Sequence, residues 1–498
     1  MFKNIKKTIC VFIAFMIAVS AAGCSRSGSA AKTTAKTVSG AASAKSGKGL
    51  DSFSLPYNTV QNFNPLLPTS KSNMALWPLM YDCLSEPDAS FNPVMRLASS
   101  VTSSGNTVTV KLKSDVKFTD GSALSASDVI YSLNFVRSNT SSPYNSRLSS
   151  VTSVDGKGLT VTITLSTPDP LFANMLDIPI IKENSDKTGD AVGTGRFKIK
   201  KNGVDAVLER NSGWYNGTAS KFSKITLVNI PSNDALMPSL SIGETNFIYS
   251  DDGSGTASSA PNTETTQVNI NQLVFVGLNT SKPHLNNSHF RRALSYSINR
   301  ELLASQNYSN RAFASTLPFN PKWAQLQNSE QLSADFNTVA SELSAAGETG
   351  SVSMTLLVNQ ENSVRNNVAK FLVSCFSKAG VNLTVKSVSF DEYNSLIQSG
   401  NFDMYIGETK LPNNMNISQL LASGGTAAYG APADSSAFKA FSDWQKGTGD
   451  LKSVSGSFDT EMPFLPLCFR TGLTSYTSGL SGVQSLDNDL FFNFEKWN

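Results

Sequence analysis

The chain has 498 residues, of which 40% are hydrophobic and 16% are charged, and its formal net charge is +3. Eight of its 41 Lys and Arg residues lie in residues 1–49, which contain no Asp or Glu. The rest of the chain therefore carries 33 basic against 38 acidic side chains, which excludes the strongly basic surface of a nucleic-acid-binding protein. Residues 50–498 are too many for a single hydrophobic core, so two or more domains are expected.

The N-terminus has the pattern of an export signal. Three lysines precede apolar residues 9–22, a segment shorter than the ~20 residues that a membrane-spanning helix needs. Small residues then lead to Cys24, as in a lipobox. We predict that residues 1–23 are a lipoprotein signal peptide and that Cys24 is lipidated on the outer face of the cell membrane. An ordinary signal peptide followed by a chance cysteine is the alternative.

Residues 24–49 consist mainly of Ser, Ala, Gly, Thr and Lys, without any aromatic or acidic residue. Such a segment cannot bury enough apolar surface to fold, which predicts a flexible basic tether. Its positive charges would add a weak attraction to anionic lipid headgroups.

The first folded part predicts strands and capped helices. Residues 50–70 are extended and rich in turn signals, and residues 74–84 have the pattern of a helix. Apolar and polar residues alternate over 108–112, which indicates a strand with one buried face. Ser125 and Asp128 have the spacing of a capping box, and apolar residues follow at helical spacing. A helix that packs back on the strand is therefore expected.

The later part of the chain alternates strands with helices. Residues 151–165 predict a β-hairpin, residues 234–243 a helix, and residues 273–303 a strand followed by helices. Residues 352–406 predict three strands separated by two helices, each of which ends at a glycine. This alternation is typical of an α/β protein.

The sequence offers few groups for catalysis or metal binding. Cys83, Cys375 and Cys468 lie in apolar surroundings, which predicts buried free thiols. His284 and His289 share a polar loop and have neither helical i, i+4 spacing nor a neighbouring cysteine, so no metal site is predicted. Two histidines also give little support to a histidine-activated nucleophile. We assign no catalytic residue and no cofactor.

Two segments resemble the family 5 extracellular solute-binding proteins. Residues 273–303 are similar to the family's strand, its asparagine and its arginine-containing helix. In the other segment, which comes earlier in the chain, the family's characteristic positions are occupied by Ala98, Lys113, Val116, Phe118, Asp120, Gly121, Leu124, Ala126, Asp128, Val129 and Ser132.

The resemblance implies a two-lobed, periplasmic-binding-protein-like α/β fold (type II, cluster C) with an extra domain inserted in the first lobe. Lobe I would comprise residues 50–75, 191–272 and 468–498. The inserted domain II would be residues 76–190, and lobe II (domain III) would be residues 273–467.

The resemblance also implies a function without catalysis. Family members of the oligopeptide, dipeptide and nickel type are the binding components of ABC importers. The chain would capture a peptide or a similar small solute between its lobes and deliver it to a membrane permease and its ATPase subunits. A monomer is expected. A surface receptor that senses a signalling peptide without import, and a secreted anchored enzyme, remain as alternatives.

Peptide-binding relatives carry an aspartate, shortly after the segment that aligns with residues 402–408, which pairs with the peptide's α-ammonium. This chain has no aspartate at that place, and Glu408 is the candidate for the same charge. Core packing is the alternative role for Tyr81. Ligand contacts are predicted at Asn62, Phe63, Asn64, Tyr81, Asn279, Gly407, Glu408 and Thr409.

Overall fold

The computed structural model describes residues 50, 52–59, 63–187, 189–203, 205–218, 220–251, 253, 260–326 and 334–498. The predicted signal peptide, the predicted tether, Cys24 and Asn62 lie outside these residues. Within the described ranges, no helix has both the length and the apolar character needed to cross a membrane.

The described chain alternates strands with helices. In chain order the strands are β1 (Phe53–Tyr57), β2 (Ser85–Pro87), β3 (Pro93–Met95), β4 (Ala98–Ser104), β5 (Thr107–Leu112), β6 (Val151–Lys157), β7 (Thr160–Leu165), β8 (Phe197–Asn202), β9 (Asp205–Arg210), β10 (Lys224–Asn229), β11 (Phe247–Ser250), β12 (Thr263–Leu278), β13 (Ala312–Ala314), β14 (Val352–Asn359), β15 (Val381–Val388), β16 (Met404–Lys410) and β17 (Phe464–Thr477). The α-helices are α1 (Lys71–Met80), α2 (Ala126–Ser138), α3 (Leu236–Ser241), α4 (Ser288–Tyr296), α5 (Arg300–Tyr308), α6 (Phe336–Ala346), α7 (Ser363–Ser377), α8 (Phe390–Gln398), α9 (Ser418–Leu421), α10 (Ser436–Gln445) and α11 (Leu451–Glu461).

The capped helix predicted after β5 is confirmed. Helix α2 begins after Ser125, whose backbone N–H donates to the Asp128 carboxylate at 3.0 Å, and both halves of the capping box are present. The apolar residues at helical spacing, Val129, Leu133 and Val136, are fully buried. Local capping and one apolar face are therefore sufficient to place this helix.

Two predicted helices have different bounds. Helix α1 begins at Lys71 and not at residue 74, because the Ser70 hydroxyl accepts from the Asn73 backbone N–H at 3.2 Å. It ends at Met80, because Tyr81 is already extended. The helix predicted at 234–243 is a 3₁₀ turn followed by the short α3.

The described strands form four sheets. Two sheets have four strands each, in the orders β1-β10-β9-β8 and β4-β5-β7-β6, and the strands β2 and β3 form a pair. The largest sheet has the order β11-β17-β12-β16-β14-β15, with β13 beside β17. The predicted run of three strands and two helices is confirmed, because β14 pairs in parallel with both β15 and β16.

Buried apolar side chains form two separate cores. The first core contains side chains from the range 53–270 and aromatic residues near the C-terminus, among them Phe491 and Trp497. The second core contains side chains from the range 273–469, together with Phe91. This arrangement is the two-lobed α/β architecture that the resemblance implied. The first core covers both the predicted lobe I and the predicted domain II, and the domain boundaries remain a prediction.

Two long antiparallel strands connect the two cores. Strand β12 contributes Ile270 to the first core and Leu273 to the second, and β17 also contributes to both. The register of β12 against β17 shifts between Asn269 and Gln272, at the passage from one core to the other. Asn271 has a φ of 52° there, in the left-handed region that asparagine tolerates better than most residues. A bulge of this kind bends and twists a strand locally, which suits a hinge.

The Asn271 side chain holds the bulge against the segment after β16. Its Nδ2 donates to the backbone oxygens of Leu411 at 3.1 Å and Pro412 at 3.3 Å. Its Oδ1 accepts from Nδ2 of Asn320 at 3.2 Å. These bonds satisfy the polar groups of a residue that is almost fully buried.

Cys83, Cys375 and Cys468 are buried free thiols, as predicted. Burial raises the pKa of the Cys83 thiol well above its ordinary value. Burial also raises the pKa of Cys375 and of Cys468. These thiols are therefore protonated and serve as small apolar side chains.

Candidate ligand-binding cleft

The first of two neighbouring cavities, called here the first chamber, has a volume of about 250 Å³. Its wall includes Trp77 and Tyr81 from the region of α1, together with Tyr144 and Tyr249. Trp77 and Tyr81 meet edge to face, with their ring centroids 5.8 Å apart. The aromatic side chains give the chamber a rigid apolar surface, which is common in sites for small ligands.

The basic side chains of the first chamber are all paired with acids. The pairs are Lys71–Asp251, Arg96–Glu86, Arg147–Asp177 at 2.6 Å, Arg196–Asp489 at 2.9 Å and Lys410–Asp487 at 2.6 Å. Asp82 is buried and accepts from Thr194 at 3.1 Å and from the Trp214 indole at 3.3 Å. The lining therefore contains five basic and six acidic side chains, and Asp82 is the acid that forms no ion pair within the described residues.

Glu86 lies in the most crowded part of this charge network. Burial and the neighbouring Asp489 raise the pKa of Glu86 to about 7, and Arg96 opposes this shift. The second oxygen of Glu86 accepts from Nδ2 of Asn488 at 3.0 Å. Arg96 contacts the carboxylates of both Glu86 and Asp489, and Arg196 contacts that of Asp489, which limits the repulsion between the two acids.

The second cavity, called the second chamber, has a volume of about 530 Å³ and adjoins the first. Four residues line both chambers: Met74, Tyr144, Arg147 and Lys410. The second chamber is rich in uncharged hydrogen-bonding groups, namely Ser146, Ser149, Ser150, Thr167, Asn413, Asn414, Asn416, Ser418, Gln419 and Gln445. Such groups can bind a polar solute or the amide groups of a peptide.

The second chamber lies between segments that belong to different cores. Asn413 donates to Asp177 at 3.1 Å, and Asn414 donates to Asp169 at 2.6 Å. Leu411 and Met415, on either side of the two asparagines, belong to the second core, whereas Phe172 and Ile178, which follow the two aspartates, belong to the first. The Lys410–Asp487 ion pair is a further contact of this kind. The two chambers therefore form a cleft between the lobes, which we call the cleft from here on.

Of the predicted ligand residues that the structure describes, Tyr81 lines a chamber and the others do not. Its ring is buried, and its hydroxyl donates to the backbone oxygen of Ala191 at 3.0 Å. Phe63 lies behind the wall, edge to face with Trp77 at 5.1 Å. Asn64 accepts from the Leu66 backbone N–H at 3.0 Å, which stabilises a turn.

Three more predicted residues lie away from both chambers. Asn279 is buried and donates to the backbone oxygens of residues 400 and 402, both at 3.1 Å. A Cβ atom on Gly407 would lie 2.4 Å from the ring of Phe275, so this glycine allows close packing of β16 on β12. Thr409 lies opposite Leu273 on the same strand pair. Their ligand roles remain predictions.

Glu408 is the centre of a buried ionic triad. Its Oε2 is 2.8 Å from Nη2 of Arg365, and its Oε1 accepts from Nε of Arg470. Burial raises the pKa of the Glu408 carboxyl, but the two arginines outweigh burial, so its pKa lies below the ordinary value. Both carboxylate oxygens are thus engaged by the protein itself. A role for Glu408 in ligand binding remains a prediction that this geometry does not favour.

The sequence reasoning missed the residues on the facing wall, Arg147, Asp169 and Asp177, and also Asn413 and Asn414. A partial signal was present, because the segment after β16 departs from the pattern of peptide-binding relatives. The residues that depart from this pattern include Asn413 and Asn414, which line the second chamber. Their partners lie more than 200 residues away along the chain, so no local pattern could identify them.

The two histidines pair with glutamates. Nδ1 of His284 is 2.5 Å from Glu348, and Nδ1 of His289 is 2.7 Å from Glu342. Among the residues that the structure describes, no group of three or more His, Cys, Asp or Glu side chains is arranged to hold a metal ion.

Comparisons with known proteins agree with this architecture. The chain is 23% identical over 487 residues to the oligopeptide-binding protein AppA of Bacillus subtilis, covering 87% of this chain and 89% of that protein. It is 24% identical over 445 residues to the glutathione-binding protein GsiB of Salmonella paratyphi A, covering 82% and 86%. The solved structure of a nickel ABC transporter protein from Bacillus halodurans superposes with a TM-score of 0.73 at 16% identity, covering 88% and 98%.

The family comparison extends beyond single relatives. The sequence profile of the bacterial extracellular solute-binding proteins, family 5, matches residues 92–428. This range includes both segments on which the resemblance was based, and it contains most of the second chamber's lining. The chain belongs to the bacterial extracellular solute-binding proteins of family 5.

Proposed function

We propose that this protein is the substrate-binding component of an ABC importer. It captures a peptide or a similar small solute in the cleft and delivers the solute to a membrane permease and its ATPase subunits. Cys24 carries the lipid anchor, and the protein acts as a monomer on the outer face of the cell membrane.

The observation that carries the proposal is a cleft placed between two cores that two strands connect. The chambers have volumes of about 250 and 530 Å³, and ligand pockets are typically about 300–1,000 Å³. The bulge at Asn269–Gln272 gives β12 a point at which a small rotation separates the two walls. Closure on a ligand would bury it and present a single closed shape to the permease.

The lining favours a peptide-like solute. Amide and hydroxyl side chains of the second chamber can hydrogen-bond both the N–H and the C=O groups of a peptide. The aromatic wall of the first chamber offers apolar contact to a side chain of the ligand. Tyr81 would contribute to that wall, whereas ligand roles for Asn62, Phe63, Asn64, Asn279, Gly407 and Thr409 remain predictions from the sequence.

Native mass spectrometry of the purified chain from residue 25 onward tests the binding step. The protein would be incubated with a library of two- to nine-residue peptides, and we expect one peptide per chain. Gln419→Ala, in the second chamber, should weaken binding about tenfold, because a hydrogen bond to the ligand is lost. Gln398→Ala, on the exposed end of α8, is the matched control and should bind as the wild type does.

The transport step needs a measurement in cells. Uptake of the identified peptide should depend on this protein and on its permease, and Cys24→Ala should release the protein into the medium. Binding without dependent uptake would instead indicate a sensing receptor. If neither the library nor a co-purified solute occupies the cleft, the proposal of a solute-binding component is wrong.

A further inference from the structure

Asp169 stands apart from the other charged side chains of the second chamber. Its Oδ1 accepts from the Leu171 backbone N–H at 2.9 Å, and its Oδ2 accepts from Nδ2 of Asn414 at 2.6 Å. Both donors are neutral amides. Within the described ranges, Asp169 forms no ion pair, and no basic side chain is among the groups that influence its carboxyl.

The other two charged side chains of this chamber are already neutralised. Arg147 is 2.6 Å from Asp177, and Lys410 is 2.6 Å from Asp487. Asp169 is therefore the charged side chain of the described chamber wall that lacks a counter-ion. Burial disfavours its ionised form and raises the pKa of its carboxyl. A cation that enters the chamber would remove this penalty.

We propose that Asp169 binds the cationic amine of the ligand, which for a peptide is the α-ammonium group. The inference rests on the proposed function and specifies which part of the solute the second chamber recognises. A carboxylate has about four acceptor positions, and the two present donors leave room for an ammonium N–H. The positive charge of the ligand would thus be read from the wall that faces Asn414.

This assignment answers a question that the sequence left open. The sequence placed the candidate charge on Glu408, but Arg365 and Arg470 already neutralise that carboxylate. Asp169 provides a carboxylate on the facing wall that forms no ion pair with an arginine among the described residues. The lobe that supplies the charge therefore differs from the one that the segment 402–408 suggested.

Matched peptide pairs test the proposal directly. Each pair consists of the same peptide with a free and with an acetylated N-terminus, taken from peptides that the wild-type protein retains. We expect acetylation to weaken binding about 10- to 100-fold, because a charge-assisted hydrogen bond is lost. Asp169→Asn should weaken the free peptide by a similar factor and should bind both members of the pair almost equally.

Asp155→Asn is the control, since it removes the same charge from an exposed position on strand β6 of the same core. It should retain the full preference for the free N-terminus. Circular dichroism and thermal unfolding would establish that Asp169→Asn is folded. A fold-neutral Asp169→Asn that still prefers the free N-terminus overturns this inference and leaves the proposed function intact.

Two further outcomes of these experiments distinguish a failure of the Asp169 proposal from a failure of the proposed function. If the protein binds acetylated and free peptides equally well, or retains a solute without any cationic group, Asp169 does not read an amine, although solute binding holds. If no peptide or other solute binds at all, the proposed function itself fails, and the inference fails with it.

Discussion

Glu408 and Asp169 are two partly buried carboxylates beside the same cleft, and they have opposite surroundings. Glu408 lies two residues before Lys410, which lines both chambers, and it contacts Arg365 and Arg470. Asp169 lies on the facing wall, and in the described part of the chain its carboxylate accepts hydrogen bonds from the amides of Leu171 and Asn414. Glu408, the carboxylate that the sequence suggested for the ligand's charge, is thus neutralised, whereas Asp169 is not.

The difference separates a structural charge from one that is available to a ligand. A buried carboxylate between two guanidinium groups already has its favourable partners, so a ligand amine would have to compete with them. A carboxylate that accepts only neutral hydrogen bonds gains more from a cation, because its desolvation is incompletely compensated. The immediate partners of an acid, and not its position along the chain, therefore indicate its role.

The largest effect on stability is expected for Glu408, the carboxylate with a structural role. Glu408→Gln leaves Arg365 and Arg470 buried without their counter-ion, and we expect the free energy of unfolding to fall by about 3–5 kcal/mol. Urea unfolding followed by circular dichroism measures this change. Glu392→Gln, which breaks an exposed contact with Lys386 at 3.8 Å, is the control and should change stability by less than about 1 kcal/mol.

A different outcome for Glu408 would reverse the comparison. If Glu408→Gln unfolds at the wild-type urea concentration but loses affinity for peptides, the triad is a ligand site after all. Glu408 would then have the ligand-binding role that the sequence suggested, and Asp169 would no longer differ from it in being available to a ligand.

A smaller effect is expected on the facing wall. Asn414→Ala removes the 2.6 Å hydrogen bond to Asp169, one of the contacts between the two lobes. We expect a loss of about 0.5–1.5 kcal/mol in the free energy of unfolding, because water in the chamber can replace the amide. Small-angle scattering of the ligand-free variant should show a larger radius of gyration if the bond helps to keep the cleft closed. An unchanged radius would show that the bond does not control closure.

Local patterns predicted much of the fold. The capping box at Ser125 and the strands and helices of residues 352–406 were predictable because each depends on residues a few positions apart. The buried thiols were also predictable, because apolar residues lie close to Cys83, Cys375 and Cys468 in the sequence. The errors at α1 arose at its two ends, since Ser70 starts the helix earlier than the apolar spacing indicated and the extended Tyr81 ends it earlier.

The cleft was much less predictable, for a physical reason. The sequence identified Glu408 as a charge near the ligand, but its partners Arg365 and Arg470 are 43 and 62 residues away. Asp169 and Asn414 are 245 residues apart and meet only because the two lobes face each other. Whether an acidic side chain has a basic partner depends on such distant contacts, which the spacing of residues in the sequence does not predict.

The pH dependence of stability provides the finest test of the comparison, because the two carboxylates should act with opposite signs. The pKa of Glu408 lies below its ordinary value of 4.5, since the two arginines outweigh burial. Its contribution to stability is present above pH 4.5 and is lost as the pH falls further. The pKa of Asp169 lies above its ordinary value of 3.8, because burial outweighs its hydrogen bonds. Its contribution is present below pH 3.8 and is lost as the pH rises.

Urea unfolding at several pH values between 3 and 7 would compare each variant with the wild type. The stability lost through Glu408→Gln should grow as the pH rises. The difference for Asp169→Asn should move the other way, so that near pH 7 the variant is as stable as the wild type or slightly more stable. A saturating peptide with a free N-terminus should abolish that second trend, because its ammonium compensates the charge of Asp169. If Asp169→Asn instead loses stability as the pH rises, the Asp169 carboxylate is already compensated within the protein, and the two acids are alike.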